Sequence, residues 1–271
     1  MEALQRLADW PVDNVSAAIL APGLPLATYG DVDRVYPLAS VTKLLVAQAV
    51  LVAVEEGALE LEDLAGPPGA TVTHLLAHAS GLAFDSRDVA AAPGMQRIYS
   101  SAGYEVLAET VERETGIVFA EYLAQAVAEP LGMSRTALVG PAGHGASSSV
   151  ADLARFAADL LAPQLLSAQT AQAARSVQFP GLDGFVPGYG KFRPNDWGLG
   201  PEIKGHKATH WTAPDHSPTT FGHFGQAGTF LWVDPERRAA AVVLTDRPFG
   251  AWAKSLWSGF NQEVLAELSS P

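Results

Sequence analysis

The run Ser40-Val41-Thr42-Lys43-Leu44-Leu45-Val46-Ala47-Gln48-Ala49-Val50-Leu51-Val52-Ala53-Val54 predicts a helix from Ser40 to about Glu56. From Leu44 to Val54 only Gln48 is polar. A helix that is hydrophobic on every side belongs in the interior of a protein. Its first turn nevertheless carries a serine and a lysine three positions apart, which places both on one helical face. Burial disfavours the ammonium and makes lysine a usable base near neutral pH. The helix N-terminus adds unpaired N–H groups and a positive dipole end where an oxyanion can form. A nucleophile, a base and an oxyanion site thus fall within one turn, the S-x-x-K arrangement. The plain alternative makes Ser40 an N-cap and lets Lys43 snorkel to solvent.

On the N-terminal side, residues 4–10 read as a short helix. Residues 15–21 and 24–29 form a hairpin across Pro22-Gly23, and residues 31–38 connect it to the central helix. Gly57 ends that helix, and the acidic, Pro/Gly-rich residues 60–69 form a surface loop. Short helices are expected at 73–79, 104–115, 119–128, 150–161 and 165–177, with a small-residue loop at 140–149. Residues 179–220 lose the helical period and read as long loops or irregular strands lining a cleft. Strands follow at 222–225, 229–233 and 239–244, and a closing helix at 252–268. Strands at both ends around a helical insert predict one antiparallel sheet, an α/β chain of the α+β type. Terminal helices cover one face of that sheet, and the mostly helical lobe covers the other. The chain reads as a single domain over 1–271, its sheet lobe at about 1–35 and 215–271 and its helical lobe at about 36–214.

With 271 residues, 48% hydrophobic and 17% charged, the chain buries a large core. A net charge of -12 argues against nucleic acid or an anionic membrane surface as a partner. The absence of cysteine excludes disulfides, a thiol nucleophile and thiolate zinc sites. No basic segment leads into an apolar core after Met1, and no run is long enough to span a bilayer, so a cytoplasmic location is expected. His74 and His78 have helical spacing, but the glutamate of H-E-x-x-H is missing, so they read as structural.

Two further motifs follow Ser40-Val41-Thr42-Lys43 in order: Tyr99-Ser100-Ser101, with Tyr104 behind it, and His223-Phe224-Gly225. Supporting them are Leu75-Leu76-Ala77-His78-Ala79-Ser80-Gly81-Leu82 and Pro130-Leu131-Gly132-Met133. Together, over about residues 15–246, they resemble the serine β-lactamase-like superfamily, in the branch of class C β-lactamases, D-peptidases and family VIII carboxylesterases. The resemblance implies a β-lactamase/transpeptidase-like fold and a Ser40 nucleophile that forms an acyl-enzyme. It implies that Lys43 and Tyr99 move the proton, and that the backbone N–H groups of Ser40 and Gln226 form the oxyanion hole. Ser101, His223, Phe224 and Gly225 are then substrate-binding positions. Trp211 is a candidate too, since Trp197, Trp211 and Phe221 read equally as acyl-pocket walls or as core aromatics. No cofactor and no metal are implied.

Two positions depart from the family pattern. Ser101 stands where an asparagine amide is usual and reaches less far with fewer donors. His223 stands where a permanently charged lysine is usual, and is mostly neutral at pH 7. Both changes favour an esterase acting on a small ester or amide, with weak or no β-lactamase activity, or a D-amino-acid peptidase or amidase. A non-catalytic protein binding a peptide or acyl ligand in the same cleft is the competing reading. A metal site built from His206, His210, His216 and His223 is a remote one. No G-x-S-x-G elbow occurs, which removes the α/β-hydrolase route.

Overall fold

A computed structural model describes residues 1–269. Its centre is a six-stranded antiparallel sheet made from both ends of the chain. In chain order the strands are β1 (Val15–Leu20), β2 (Ala27–Tyr29), β3 (Val35–Pro37), β4 (Ala137–Leu138), β5 (Ala146–Ser149), β6 (Gly184–Val186), β7 (Gly190–Phe192), β8 (Glu202–Ile203), β9 (Phe221–Gly225), β10 (Thr229–Asp234) and β11 (Ala239–Thr245). The main sheet runs β2-β1-β11-β10-β9-β8, with β1 beside β11 in a register that sets Val15 opposite Thr245.

Alternation along these strands divides the interior into two cores. Ala17, Ile19, Phe230, Trp232, Ala241 and Val243 face α1 (Glu2–Gln5) and α8 (Ala251–Leu268), where Trp257, Phe260 and Val264 cover them. Ala18, Leu231, Val233, Ala240, Val242 and Leu244 face the helical insert. That insert contains α2 (Thr42–Glu55), α3 (Val72–Leu76), α4 (Ala102–Thr115), α5 (Phe119–Leu123), α6 (Val150–Leu161) and α7 (Ala168–Ala174). Buried residues line α2 on all sides, from Thr42 through Leu51, as its sequence demands. Among the described residues no helix is long and apolar enough to cross a membrane.

The structure departs from the sequence-based expectations at several places. Within the supposed loop at 140–149, residues 146–149 form β5, the middle strand of a small sheet ordered β3-β5-β4, and β3 lies inside the supposed connector. Serine has little strand preference of its own, and pairing on both sides overrides it. The Ser148 hydroxyl meets Thr136 Oγ1 at 2.7 Å, and Ser149 caps α6 through Asp152 N–H. The helix expected at 119–128 passes from α5 into a π-turn at Ala124–Ala128, and α7 is shorter than the expected 165–177. Strand β8 adds an edge to the main sheet from within residues 36–214, so the sheet takes one strand from the expected helical lobe.

Candidate active site

Ser40 lies in a 3-10 turn, Ala39–Val41, immediately before α2. It caps nothing: Val41 holds the N-cap position of α2 without a side-chain bond. Ala39 takes a left-handed conformation at φ 46°, uncommon for a residue with a Cβ, and so turns the chain sharply before Ser40. Strand β9 ends against this turn. A Cβ on Gly225 would stand 2.3 Å from the Leu38 carbonyl oxygen and 3.2 Å from Ala39 Cβ, so only glycine permits the approach. Thr229 Oγ1 ties the same carbonyl at 2.9 Å. Gln226, one position past Gly225, lines the same cavity as Ser40.

Lys43 does not snorkel; its exposure is 0%. Nζ lies 3.5 Å from Ser40 Oγ, 3.1 Å from Ser101 Oγ and 2.7 Å from the Gly143 carbonyl oxygen, and stands 4.7 Å over the Tyr99 ring. Burial pulls its pKa down to about 7, against a partial upward pull from Glu105.

Tyr99 is brought to the same point by the segment that leads into α4. Behind it, His78 Nδ1 accepts the Ser100 N–H at 3.1 Å, and the His78 ring packs 4.6 Å from Tyr99. Thus His78 supports the Tyr99 segment, whereas His74 caps α3 through Thr71; the two do not converge. Burial raises the Tyr99 phenol well above its usual value, with the Ser40 hydroxyl pulling the other way, so it stays protonated.

His223 Nδ1 donates to the Phe224 carbonyl at 2.7 Å, which leaves Nε2 to accept from Tyr99 Oη at 3.4 Å. Burial, reinforced by the Lys43 charge, holds His223 down at about 3. The third motif therefore presents a neutral imidazole.

Ser40, Tyr99, His223, Phe224 and Gln226 share a cavity of about 290 Å³ with Phe84, Val186, Pro187, Trp197 and Glu202. Its walls are largely apolar. Ser101 turns its hydroxyl to Lys43 rather than to this cavity. Trp211 is misplaced by the sequence-based reading: its indole is buried against Phe224 and Phe230, and Nε1 donates to Glu202 Oε2 at 2.8 Å. The indole N–H needs an acceptor when buried, and Glu202 supplies it from the cavity wall. Phe221 likewise belongs to the core under α2, and Trp197 alone of the three aromatics reaches the cavity.

Several residues here carry no motif. Glu202 is fully buried; it receives Lys207 Nζ at 3.1 Å, His210 Nε2 at 3.0 Å and Trp211 Nε1, and these partners hold its carboxyl well below the usual range despite burial. Arg97 is buried too, and donates to the carbonyls of Asn195, Ala77, Gln178 and Phe179, stapling the loops around the cavity. From α4, Glu105 grips the loop that presents Gly143, with Oε1 2.7 Å from Gly143 N and Oε2 3.0 Å from Ala142 N. The unusual density of histidine, lysine and tryptophan at 202–211 was the one signal for the Glu202 group. Of the four histidines of the remote metal reading, His206 is exposed, His210 bonds Glu202 and Thr212, His216 accepts the Ala213 N–H, and His223 bonds the Phe224 carbonyl. Among the described residues no group of three or more His, Asp or Glu is arranged to hold a metal ion.

The Beta-lactamase family profile matches residues 22–264. A crystal structure from Mycobacterium bovis described as a beta-lactamase is 57% identical, covers 99% of this chain and 100% of its own, and superposes with a TM-score of 0.97. Penicillin-binding protein 4* of Bacillus subtilis (strain 168) is 29% identical over a match spanning 38% of this chain and 30% of that protein's length. A simvastatin synthase variant from Aspergillus terreus, 18% identical, superposes at 0.82 over 98% of this chain and 97% of its own, a likeness of fold alone.

Proposed function

The chain belongs to the Beta-lactamase family, and on that premise we propose that it is a serine hydrolase acting through an acyl-enzyme on small esters with an uncharged, apolar acyl group. The observation that carries this reading is the Lys43–Ser40 contact at 3.5 Å beside a largely apolar cavity. As Ser40 Oγ attacks the ester carbonyl, its proton passes to the neutral Lys43 amine, and the carbonyl oxygen becomes an oxyanion facing the N–H groups of Ser40 and Gln226. Collapse breaks the bond to the leaving oxygen. That oxygen takes a proton from Tyr99 Oη, and the Lys43 ammonium, which stands 4.7 Å over the Tyr99 ring, returns one to the phenolate. The alcohol leaves at this stage; water then repeats the sequence against the acyl-enzyme, releasing the acid and restoring the Ser40 hydroxyl. General-base assistance of this kind contributes about 10²–10⁴-fold.

The neutral His223 supports esters over β-lactams. A β-lactam or a C-terminal D-peptide carries a carboxylate that a permanent cation would anchor, and this imidazole supplies none. The description of the Mycobacterium bovis structure makes β-lactam hydrolysis the competing activity. Intact mass after brief exposure to a fluorophosphonate, with Ser40→Ala alongside, tests the nucleophile. A panel of p-nitrophenyl esters, D-amino-acid p-nitroanilides and β-lactams tests the substrate. One adduct on the wild type and none on Ser40→Ala, with turnover confined to esters, is expected. Folded wild-type protein that takes no adduct overturns the hydrolase reading, and turnover of β-lactams above esters overturns the substrate class.

A further inference from the structure

A neutral lysine amine has two N–H donors and one lone pair, and its usefulness as a base depends on where the lone pair points. The lysine stem is long and flexible, so helix position alone does not decide this. Around Lys43 the acceptors do. The Gly143 carbonyl at 2.7 Å can only accept, and Ser101 Oγ at 3.1 Å takes the second hydrogen. The lone pair is left to Ser40 Oγ–H, the longest of the three contacts at 3.5 Å.

The Gly143 carbonyl is itself held from the opposite side of the same residue. Glu105 receives Gly143 N–H on one carboxylate oxygen and Ala142 N–H on the other, at 2.7 and 3.0 Å. Residue 143 must be glycine for this fit, since a Cβ would lie 2.8 Å from Ser101 Cβ and 2.9 Å from the Ser101 carbonyl oxygen. Ser101 is the N-cap residue of α4 and Glu105 stands four positions on, so one helical turn carries both the hydroxyl and the clamp. We infer that Glu105 is a positioning residue for the proposed acylation: its forked grip on residues 142–143 aims the Gly143 carbonyl that orients Lys43 toward Ser40. This role rests on the hydrolase reading given above.

Glu105 also acts through charge. The titratable groups facing Lys43 are Tyr99 and Tyr104, whose rings lie 4.7 and 5.4 Å from Nζ, the buried histidines His78 and His223, and Glu105. Burial keeps both phenols protonated and both imidazoles neutral. Glu105 alone of these pulls the lysine pKa upward. Replacing it by glutamine therefore has two separable effects: the pKa of Lys43 falls further, and the amine loses its aim.

The experiment compares wild type, Glu105→Gln and Glu105→Asp by rate of fluorophosphonate labelling from pH 5 to 9, and by NMR titration of the lysine side-chain carbons. In Glu105→Gln the acid limb is expected to move to lower pH while the plateau rate falls about 10–100-fold, the scale of an ångström of misplacement. Glu105→Asp keeps the charge but shortens the reach, so its limb stays in place and its plateau drops. Folded Glu105→Gln with a wild-type plateau, or with an unmoved limb and unmoved Lys43 titration, overturns the inference. Wild type that fails to label overturns the hydrolase reading instead, and the NMR midpoint of Lys43 then still decides whether Glu105 sets its basicity.

Discussion

Two lysines are buried in this protein, each bonded to a residue that lines the cavity, and their surroundings differ in kind. Lys43 has 0% exposure and Lys207 7%. Around Lys207 stand three obligate acceptors: the carbonyls of Asp196 and Ile203 at 3.0 and 2.6 Å and the Glu202 carboxylate at 3.1 Å. Three acceptors match the three hydrogens of an ammonium, and the carboxylate holds up what burial pulls down. Lys43 has one obligate acceptor, the Gly143 carbonyl, and two hydroxyls, of Ser101 and Ser40, that can also give up a proton. Burial alone thus does not make a lysine a base; the count and kind of its neighbours do.

The comparison breaks first at Lys43. Lys43→Met is expected to lower kcat/KM on a reactive ester by about three to four powers of ten, measured on protein shown to be folded. In the wild type, activity should rise with pH through about 7, because only the neutral amine accepts the Ser40 proton. A rate independent of pH between 5.5 and 8.5 contradicts a basic role for Lys43.

At the other lysine the expected effect is on stability. Glu202→Gln leaves Lys207 buried without its counter-charge and should cost about 3–5 kcal/mol in urea unfolding. Adding Lys207→Met to that variant should return most of the loss, since the pair is then removed together. If Glu202→Gln unfolds at the wild-type urea concentration, the pair carries no structural weight.

The smallest effect sharpens the contrast. Lys43 has its pKa lowered on folding, so between about 7 and the ordinary value of 10.5 the unfolded chain binds a proton that the folded chain does not. Stability therefore rises with pH across that window, and the penalty of keeping the lysine is complete below it. Lys43→Met should gain on the wild type by roughly 1–3 kcal/mol near pH 6, after allowing for the lost bonds to Gly143 and Ser101, and the gain should shrink toward pH 10. Thermal melts of both proteins at the two pH values measure it.

These features were unequally visible in the sequence. The apolar run after Ser40 demands burial, and the three-residue spacing puts Lys43 beside the serine, so that pair is legible from local physics. Tyr99 and His223 become legible only through the order of the three motifs. Trp211 was drawn toward the substrate because aromatics in a loop-rich stretch often line clefts; its N–H instead found Glu202. Glu105 resembles any glutamate on an amphipathic helix, and nothing local says that its oxygens meet backbone N–H groups from a distant loop. Glu202, Lys207 and His210 lie in an irregular stretch where no periodicity relates one to another. The strand at Ala146–Ser149 hid for a similar reason, since its pairing partners, and not its serines, make it a strand.

The pairing of β1 with β11 reaches beyond the finished structure to its assembly. Asn14, just before β1, and Asp246, just after β11, are 232 positions apart and bonded at 2.9 Å. Closing a loop of that length costs roughly 5 kcal/mol of chain entropy before any contact across it is gained. On the ribosome β1 and its hairpin partner β2 must wait, with their apolar face uncovered, until β11 has been made. The helical insert carrying Ser40, Lys43 and Tyr99 is synthesised in that interval, but β9 and Gln226 arrive only with the last strands. Ser40 and Lys43 therefore meet Gln226 only late, when the sheet closes.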